Sequence, residues 1–258
     1  MTKLIIFDLD GTLAESKQPV TSEMAALLAR LLAATRVAIV SGGALSQFLK
    51  QVVARLPIDA NLTNLYLLPT SGAALYEFHP STTPETGDNE WKKIYEERLS
   101  EKDKDAIETA MTSSAKATGL IDFSKPAHGE RIEYRGGQVS LSALGQEAPI
   151  SEKKAWDPTH AKRRALQADI AARLPGFSVG MGGATTIDVT KRNIDKAYGI
   201  HKLCGRLGVK ESEALYVGDE LIAGGNDEAV YKTEVQTKGV QDPAETTRLI
   251  KEILSKEV

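Results

Sequence analysis

At 258 residues the chain is long for one domain and short for three, so it has room for a sizeable core in one large domain or two unequal ones. Hydrophobic residues make up 41% and charged residues 26%, no apolar run approaches the roughly 20 residues of a membrane span, and the net charge of -3 supplies no basic field for nucleic acid. A single cysteine, Cys204, excludes an internal disulfide and a cysteine-rich metal site, and reads as a buried apolar side chain. Met1-Thr2-Lys3 leads directly into Leu4-Ile5-Ile6-Phe7, too short an apolar stretch for a secretory signal, so the expected compartment is the cytoplasm.

Three short apolar runs, Leu4 to Phe7, Val37 to Val40 and Leu65 to Leu68, are flanked by polar or turn residues and read as buried strands of a parallel sheet. Between the first two, Met24, Leu27, Leu28, Leu31 and Leu32 recur at helical spacing within Ser22 to Thr35; Leu45, Phe48, Leu49, Val52 and Val53 do the same in the next interval. The pattern is βαβαβ. A stretch rich in Pro, Thr, Gly and acids, from about Thr82 to Asn89, reads as a linker. Ser100 then caps a helix to about Thr118, and Arg131 to Tyr134 and Val139 to Ser142 alternate on either side of Arg135-Gly-Gly-Gln138, which predicts a hairpin. Asp157-Pro158 starts another helix, and Phe177 to Met181 and Thr185 to Val189 flank Gly182-Gly183 as two more strands. Ala214 to Val217, a short strand at Val235 and a helix opened by Asp242-Pro243-Ala244-Glu245 restore the first pattern. The predicted architecture is therefore α/β: a doubly wound, Rossmann-like parallel core from residues 1–82 and 190–258, with an inserted α+β cap over residues 83–189.

Each predicted core strand ends in polar residues: Asp8 and Asp10, then Ser41, then Thr70 and Ser71, then Asp219. In open α/β sheets ligands bind at the carboxyl ends of the strands, so these side chains are expected to converge on one crevice. Asp8-Leu9-Asp10-Gly11-Thr12 sets two carboxylates two residues apart beside a turn glycine. Bringing both against an anionic ligand is costly without a cation, and hard oxygen ligands suit Mg²⁺.

These motifs, with Ser41-Gly42-Gly43, Lys196, Gly218-Asp219 and Gly224-Gly225-Asn226-Asp227 in the same order, resemble the four motifs of the haloacid dehalogenase superfamily of phosphotransferases. The resemblance implies a set of roles. Asp8 is the nucleophile that forms an aspartyl phosphate, and Asp10 is general acid and then base, oriented by Thr12. Ser41 and the Gly42-Gly43 backbone hold the phosphoryl oxygens, and Lys196 neutralises charge between Asp8 and phosphate. Asp8, Asp219, Asp227 and the Asp10 carbonyl hold Mg²⁺.

Within the superfamily, Ile132-Glu133-Tyr134-Arg135, Gly182-Gly183-x-x-x-Ile187-Asp188-Val189 and the glycine-rich acidic loop are similar to eukaryotic-type phosphomannomutases. That similarity implies a cap that grips the far end of a sugar phosphate, and it leaves open a homodimer paired through the cap. The chain departs from the mutase pattern where His128-Gly129 and Gly145-Gln146 stand in place of Arg-Gly and Gly-Arg, leaving Arg135 as the retained arginine and Arg131 nearby as a substitute. With two guanidinium positions gone, the expectation shifts towards hydrolysis of a sugar phosphate monoester, or a different substrate, gripped by Arg135, Gln138, Gln146 and Asp188, with Arg131 as the nearby substitute. A hexose-phosphate mutase is the alternative, and a non-catalytic phospholigand binder the third.

Overall fold

In the computed structural model, which describes residues 2–80 and 90–256, the opening strand β1 (Leu4–Phe7) is buried along its whole length. A parallel strand covered on both faces can carry apolar side chains at every position, which is why Leu-Ile-Ile-Phe does not alternate with polar residues. Helix α1 (Ser22–Ala34) follows, with the Thr21 hydroxyl accepting the Met24 amide at 3.1 Å. Its Met24, Ala25, Leu27, Leu28, Leu31 and Leu32 form the buried stripe. Strand β2 (Arg36–Val40), helix α2 (Leu45–Gln51) and strand β3 (Leu65–Leu68) complete the predicted start.

The core then adds two strands that the sequence reading did not assign, β4 (Ala74–His79) and β5 (Glu90–Glu96). β4 runs antiparallel to β3, and β5 antiparallel to β4. The chain divides into one unit of Met1–Glu96, Lys196–Ile222 and Asp227–Val258, and a second of Glu97–Asp195 with Ala223–Asn226. Because β5 belongs to the core sheet, the first unit continues to Glu96 rather than ending at residue 82. The linker-like stretch 82–89 lies outside the described residues.

The second unit is built from helix α3 (Glu101–Thr118), strands β6 (Ile132–Tyr134) and β7 (Gln138–Ser142), helices α4 (Ile150–Trp156) and α5 (Ala161–Arg173), and strands β8 (Phe177–Met181) and β9 (Thr186–Lys191). Its sheet is antiparallel throughout in the order β6-β7-β9-β8. Period-two alternation sorts its faces. Val139, Leu141, Ile187 and Val189 pack with Ile107, Met111, Leu166 and Ile170, whereas Gln138, Ser140, Ser142, Asp188 and Thr190 occupy the alternate positions. The predicted hairpin closes with the Arg135 amide donating to the Gln138 carbonyl at 2.8 Å. Asp157 does cap a helix, from further back than expected: its carboxylate accepts the amides of Lys162 and Arg163 at 3.0 and 3.1 Å, and pairs with the buried Arg163 guanidinium.

The core resumes with α6 (Lys196–Leu207), β10 (Ala214–Gly218), β11 (Gln236–Gly239) and α7 (Pro243–Lys256). The core sheet runs β11-β10-β1-β2-β3-β4-β5, and its first five strands are mutually parallel. Alternate residues feed two apolar layers. Ile5, Phe7, Val37, Ile39, Leu65 and Leu67 pack with α1, Phe48 and the α7 residues Ile250 and Leu254. Leu4, Ile6, Val40, Leu68 and Tyr216 pack with Ile200, Leu203 and Cys204 of α6. This is the doubly wound arrangement, with Cys204 buried as expected and its thiol pushed up to about 11 by burial and Glu211. Among the described residues no helix is long and apolar enough to cross a membrane.

Candidate active site

The parallel register sets the carboxyl ends of β1, β2 and β10 side by side, with Phe7 level with Ile39 and Val217. Asp8 leaves β1 at that edge and is 2% exposed. Its Oδ1 accepts Lys196 Nζ at 2.6 Å, and its buried Oδ2 has no hydrogen-bond partner among the described residues. Lys196 opens α6, which lies close because Gly199 has no side chain: a Cβ there would meet the Gly72 Cα at 2.8 Å. The same ammonium donates to Asp227 Oδ1 at 2.6 Å, and the Tyr216 hydroxyl also donates to that oxygen, at 2.5 Å. Asp219 stands at the end of β10 and accepts the Thr12 hydroxyl at 2.9 Å.

Two glycines make the carboxylates' approach feasible. A Cβ on Gly11 would fall 2.3 Å from Asp219 Oδ2, and one on Gly218 would fall 2.3 Å from Asp227 Oδ2. Gly11 also has φ +95°, a conformation that favours glycine at this turn.

The electrostatics follow from one buried lysine beside two buried acids and a third, Asp219, that is partly buried. Burial pushes Asp8 well above the ordinary aspartate value; Lys196 opposes the rise, and Asp227 and Asp219 add to it. Asp219 is pushed up to about 6 by burial and by Asp227, against the Thr12 hydrogen bond. Burial works against the charge on Lys196, yet Asp227 and Asp8 hold it above the usual lysine value. Tyr216 is raised well above an ordinary phenol by burial, then by Asp227 and Asp8, and stays protonated as a donor.

Oxygens of Asp8, Asp219 and Asp227 lie within 4.8 Å of one another, a grouping fit for one metal ion. The residues suit Mg²⁺: all three ligands are hard carboxylates, and the unpartnered buried Oδ2 of Asp8 is an acceptor that a cation satisfies.

The other sequence-derived candidates divide. Ser41, 6% exposed, ends β2, and its loop is tied down by Ser71 N to Ser41 O at 2.9 Å and Thr70 N to Gly43 O at 2.9 Å. Thr70 and Ser71 adopt φ +54° and +57°, unusual for non-glycine residues, to make those bonds beside Gly42 and Gly43. The Asp10 side chain is not in the acid cluster; it accepts from Lys17 N, Gln47 and Gln51. Thr12 serves Asp219, not Asp10 as expected, because its fully buried hydroxyl points to the end of β10.

In the second unit, Arg135 pairs with Glu133 at 2.5 Å and donates to Gln146 Oε1 at 3.2 Å, while Asp188 accepts the Ser140 hydroxyl at 2.6 Å. Arg131, expected to stand in for a lost arginine, has its guanidinium engaged with backbone carbonyls in this structure. It precedes β6, stacks over Phe123, and donates to the carbonyls of Ala143, Lys125 and Pro126. Its fork braces the loop through these bonds.

Sequence reading missed Tyr216, Gln47 and Gln51. The first carried a signal, since Tyr216 precedes Gly218 by two on a strand and so shares its face. The glutamines stand one turn apart on the helix after Ser41-Gly42-Gly43, but nothing local marks an amide as a partner of Asp10.

A buried aspartate at the end of the first parallel strand, bridged by a buried lysine to one acid after a later strand, sits in a Rossmann-like core with a cap, the fold of haloacid dehalogenase-like enzymes. The chain belongs to the eukaryotic phosphomannomutase family, whose family description matches residues 24–256. It is 25% identical over 259 residues to the phosphomannomutase of Saccharomyces cerevisiae, covering 98% of this chain and 94% of that protein. With the Spinacia oleracea phosphomannomutase it shares 25% identity, covering 97% and 95%. In fold it is similar to an IMP-bound Plasmodium falciparum IMP-nucleotidase mutant, with TM-score 0.70, 18% identity and coverage of 98% of this chain and 68% of that one. A haloacid dehalogenase-like hydrolase from Bacteroides thetaiotaomicron aligns with TM-score 0.62 and 16% identity, covering 98% and 100%.

Proposed function

We propose that this chain is a Mg²⁺-dependent hexose-phosphate mutase of the phosphomannomutase type, working through an aspartyl phosphate on Asp8. The observation that carries the phosphoryl-transfer reading is the buried Asp8–Lys196–Asp227 bridge with Asp8 Oδ2 left unpartnered. Family membership and the relatives' names favour the mutase over the hydrolase that the sequence reading placed first.

In the forward half-reaction a carboxylate oxygen of Asp8 bonds to phosphorus and the bond from phosphorus to the sugar oxygen breaks. That oxygen takes its proton from Asp10. In the return half, a sugar hydroxyl gives its proton to Asp10 and attacks phosphorus, freeing Asp8. Lys196 offsets charge between Asp8 and the phosphoryl oxygens, and Ser41 with the Gly42 and Gly43 backbone hydrogen-bonds them. Asp8, Asp219, Asp227 and the Asp10 carbonyl would hold Mg²⁺. When bound, the ion supplies Lewis-acid stabilisation of the charge that builds on the transferred group. Arg135, Gln146 and Asp188 are the residues assigned to the rest of the sugar.

A specific observation favours a second reading, a sugar-phosphate phosphatase. Arg131 is committed to three backbone carbonyls and Arg135 is paired with Glu133, so both of the arginines expected to hold a second phosphate are already engaged. The test measures isomerisation and free phosphate from mannose and glucose 1- and 6-phosphates with Mg²⁺, with and without a hexose bisphosphate. Bisphosphate-dependent isomerisation with little phosphate released supports the mutase. Stoichiometric phosphate without isomerisation means the phosphatase, and neither product refutes both.

A further inference from the structure

Asp10 is held by a set of donors drawn from two separate parts of the core. Its Oδ2 accepts Gln47 Nε2 at 2.9 Å, and its Oδ1 accepts Gln51 Nε2 at 3.3 Å and the Lys17 amide at 2.7 Å. Gln47 and Gln51 are four residues apart on α2, so one helix face presents both amides to one carboxylate. Gln51 Nε2 also donates to the Gln18 carbonyl at 2.6 Å, and its backbone carbonyl accepts the Val20 amide at 2.9 Å. The 15–20 segment, in which Lys17 takes φ +57° to present its amide, is thereby fixed to the same helix.

A second observation ties this clamp to the phosphoryl loop. A Cβ on Gly43 would lie 2.5 Å from Gln47 Oε1, so the space a side chain would fill beside Ser41 and Gly42 is where the Gln47 amide sits. One side chain therefore touches both the loop assigned to the phosphoryl oxygens and the carboxylate assigned to proton transfer.

From this we infer that Gln47 and Gln51 are positioning residues for Asp10, fixing its carboxylate for proton transfer to and from the sugar oxygen. The inference rests on the assignment of Asp10 as general acid and base. General acid–base groups contribute about 10²–10⁴ in rate and act only within hydrogen-bond reach of the proton they move, so a carboxylate released from two of its three donors loses much of that contribution.

A leaving-group comparison separates positioning from general damage. An alkyl phosphate needs its departing oxygen protonated, whereas p-nitrophenolate departs without a proton. With Mg²⁺-loaded protein and a hexose bisphosphate present, kcat/KM for consumption of a hexose 1-phosphate, by isomerisation or by release of sugar, and for p-nitrophenolate release from p-nitrophenyl phosphate is measured for Gln47→Ala, Gln51→Ala and Asp10→Ala. Each glutamine variant is expected to lower the ratio of the two efficiencies about tenfold, with Asp10→Ala lowering it further. Adding either substitution to Asp10→Ala is expected to leave the ratio where Asp10→Ala puts it. Gln51→Glu keeps the side chain's shape but sets a carboxylate against Asp10, and is expected to repeat the loss if the alanine variant folds poorly. An unchanged ratio in the glutamine variants beside a lowered one in Asp10→Ala overturns the inference alone. An unchanged ratio in Asp10→Ala overturns the assignment of Asp10 and the inference with it.

Discussion

Replacing Lys196 with methionine removes the one ammonium that bridges Asp8 and Asp227 while keeping a side chain of similar length. Both contacts are 2.6 Å, and the side-chain exposures are 5% for Lys196, 2% for Asp8 and 0% for Asp227, so solvent cannot take over the lost role. Removing one partner of a buried ion pair costs about 3–5 kcal/mol, because the remaining charge is stranded. For a protein of this size that corresponds to a fall in Tm of roughly 6–20 °C in EDTA, measured by calorimetry. Stranded acids have folded-state pKa values above their unfolded ones, so they favour the fold at low pH and that contribution is lost as pH rises through the folded value. The deficit of Lys196→Met should therefore be smaller at pH 5 than at pH 8. Saturating Mg²⁺ should recover part of it, since a cation held by the same acids restores positive charge to the cluster. A variant that melts within 2 °C of the parent in EDTA at pH 8 would show that the bridge does not hold these carboxylates together.

Asp8→Asn is expected to leave the fold intact and lower turnover by at least about a thousandfold, with no beryllofluoride adduct by ¹⁹F NMR; near-normal turnover refutes the nucleophile. Gly218→Ala sets a Cβ in the place of Asp227 Oδ2, so Mg²⁺ affinity by titration calorimetry should weaken at least about tenfold, and unchanged affinity would show that Asp227 is not a ligand. Asp219, raised to about 6, must lose its proton to bind a cation. Mg²⁺ affinity should therefore climb as pH rises from 5 to 7, and a flat profile would contradict its place in the cluster. In the second unit, Arg135→Ala should raise KM for hexose phosphates more than for p-nitrophenyl phosphate, whereas Arg131→Ala should lower Tm and leave that KM ratio unchanged. The reverse pattern would exchange their roles.

The core and most of its site were legible because both obey short-range rules. β1, β2 and β3 are apolar runs bounded by turn residues, and Asp8, Ser41 and Asp219 stand where parallel strands end. β4 and β5 were not legible: Ala-Leu-Tyr-Glu-Phe-His and Glu-Trp-Lys-Lys-Ile-Tyr-Glu mix apolar and charged residues, and their pairing joins segments on either side of the linker-like stretch. The surroundings of Arg131 are not legible from strand alternation, because it lies one residue before β6 and its guanidinium is held by the carbonyls of Lys125 and Pro126. Thr12 and Gln47 share a deeper difficulty. Each acts on a residue, Asp219 or Asp10, that only the folded sheet or helix brings near.

The charge arrangement explains why so many small or polar residues converge on one edge of the sheet. Three clustered carboxylates, two of them buried and bonded to the one ammonium of Lys196, leave a surplus of negative charge that a proton-favouring shift on Asp8 and Asp219 eases. A second fixed lysine would neutralise the cluster permanently and stabilise the resting protein, but it would fill the space at Asp8 Oδ2. A divalent cation bound by the same oxygens would balance the excess when the acids are ionised. The glycines at 11 and 218, which give up side chains so that Asp219 and Asp227 can close in, are consistent with that account, because each leaves room for a carboxylate oxygen at the same edge of the sheet.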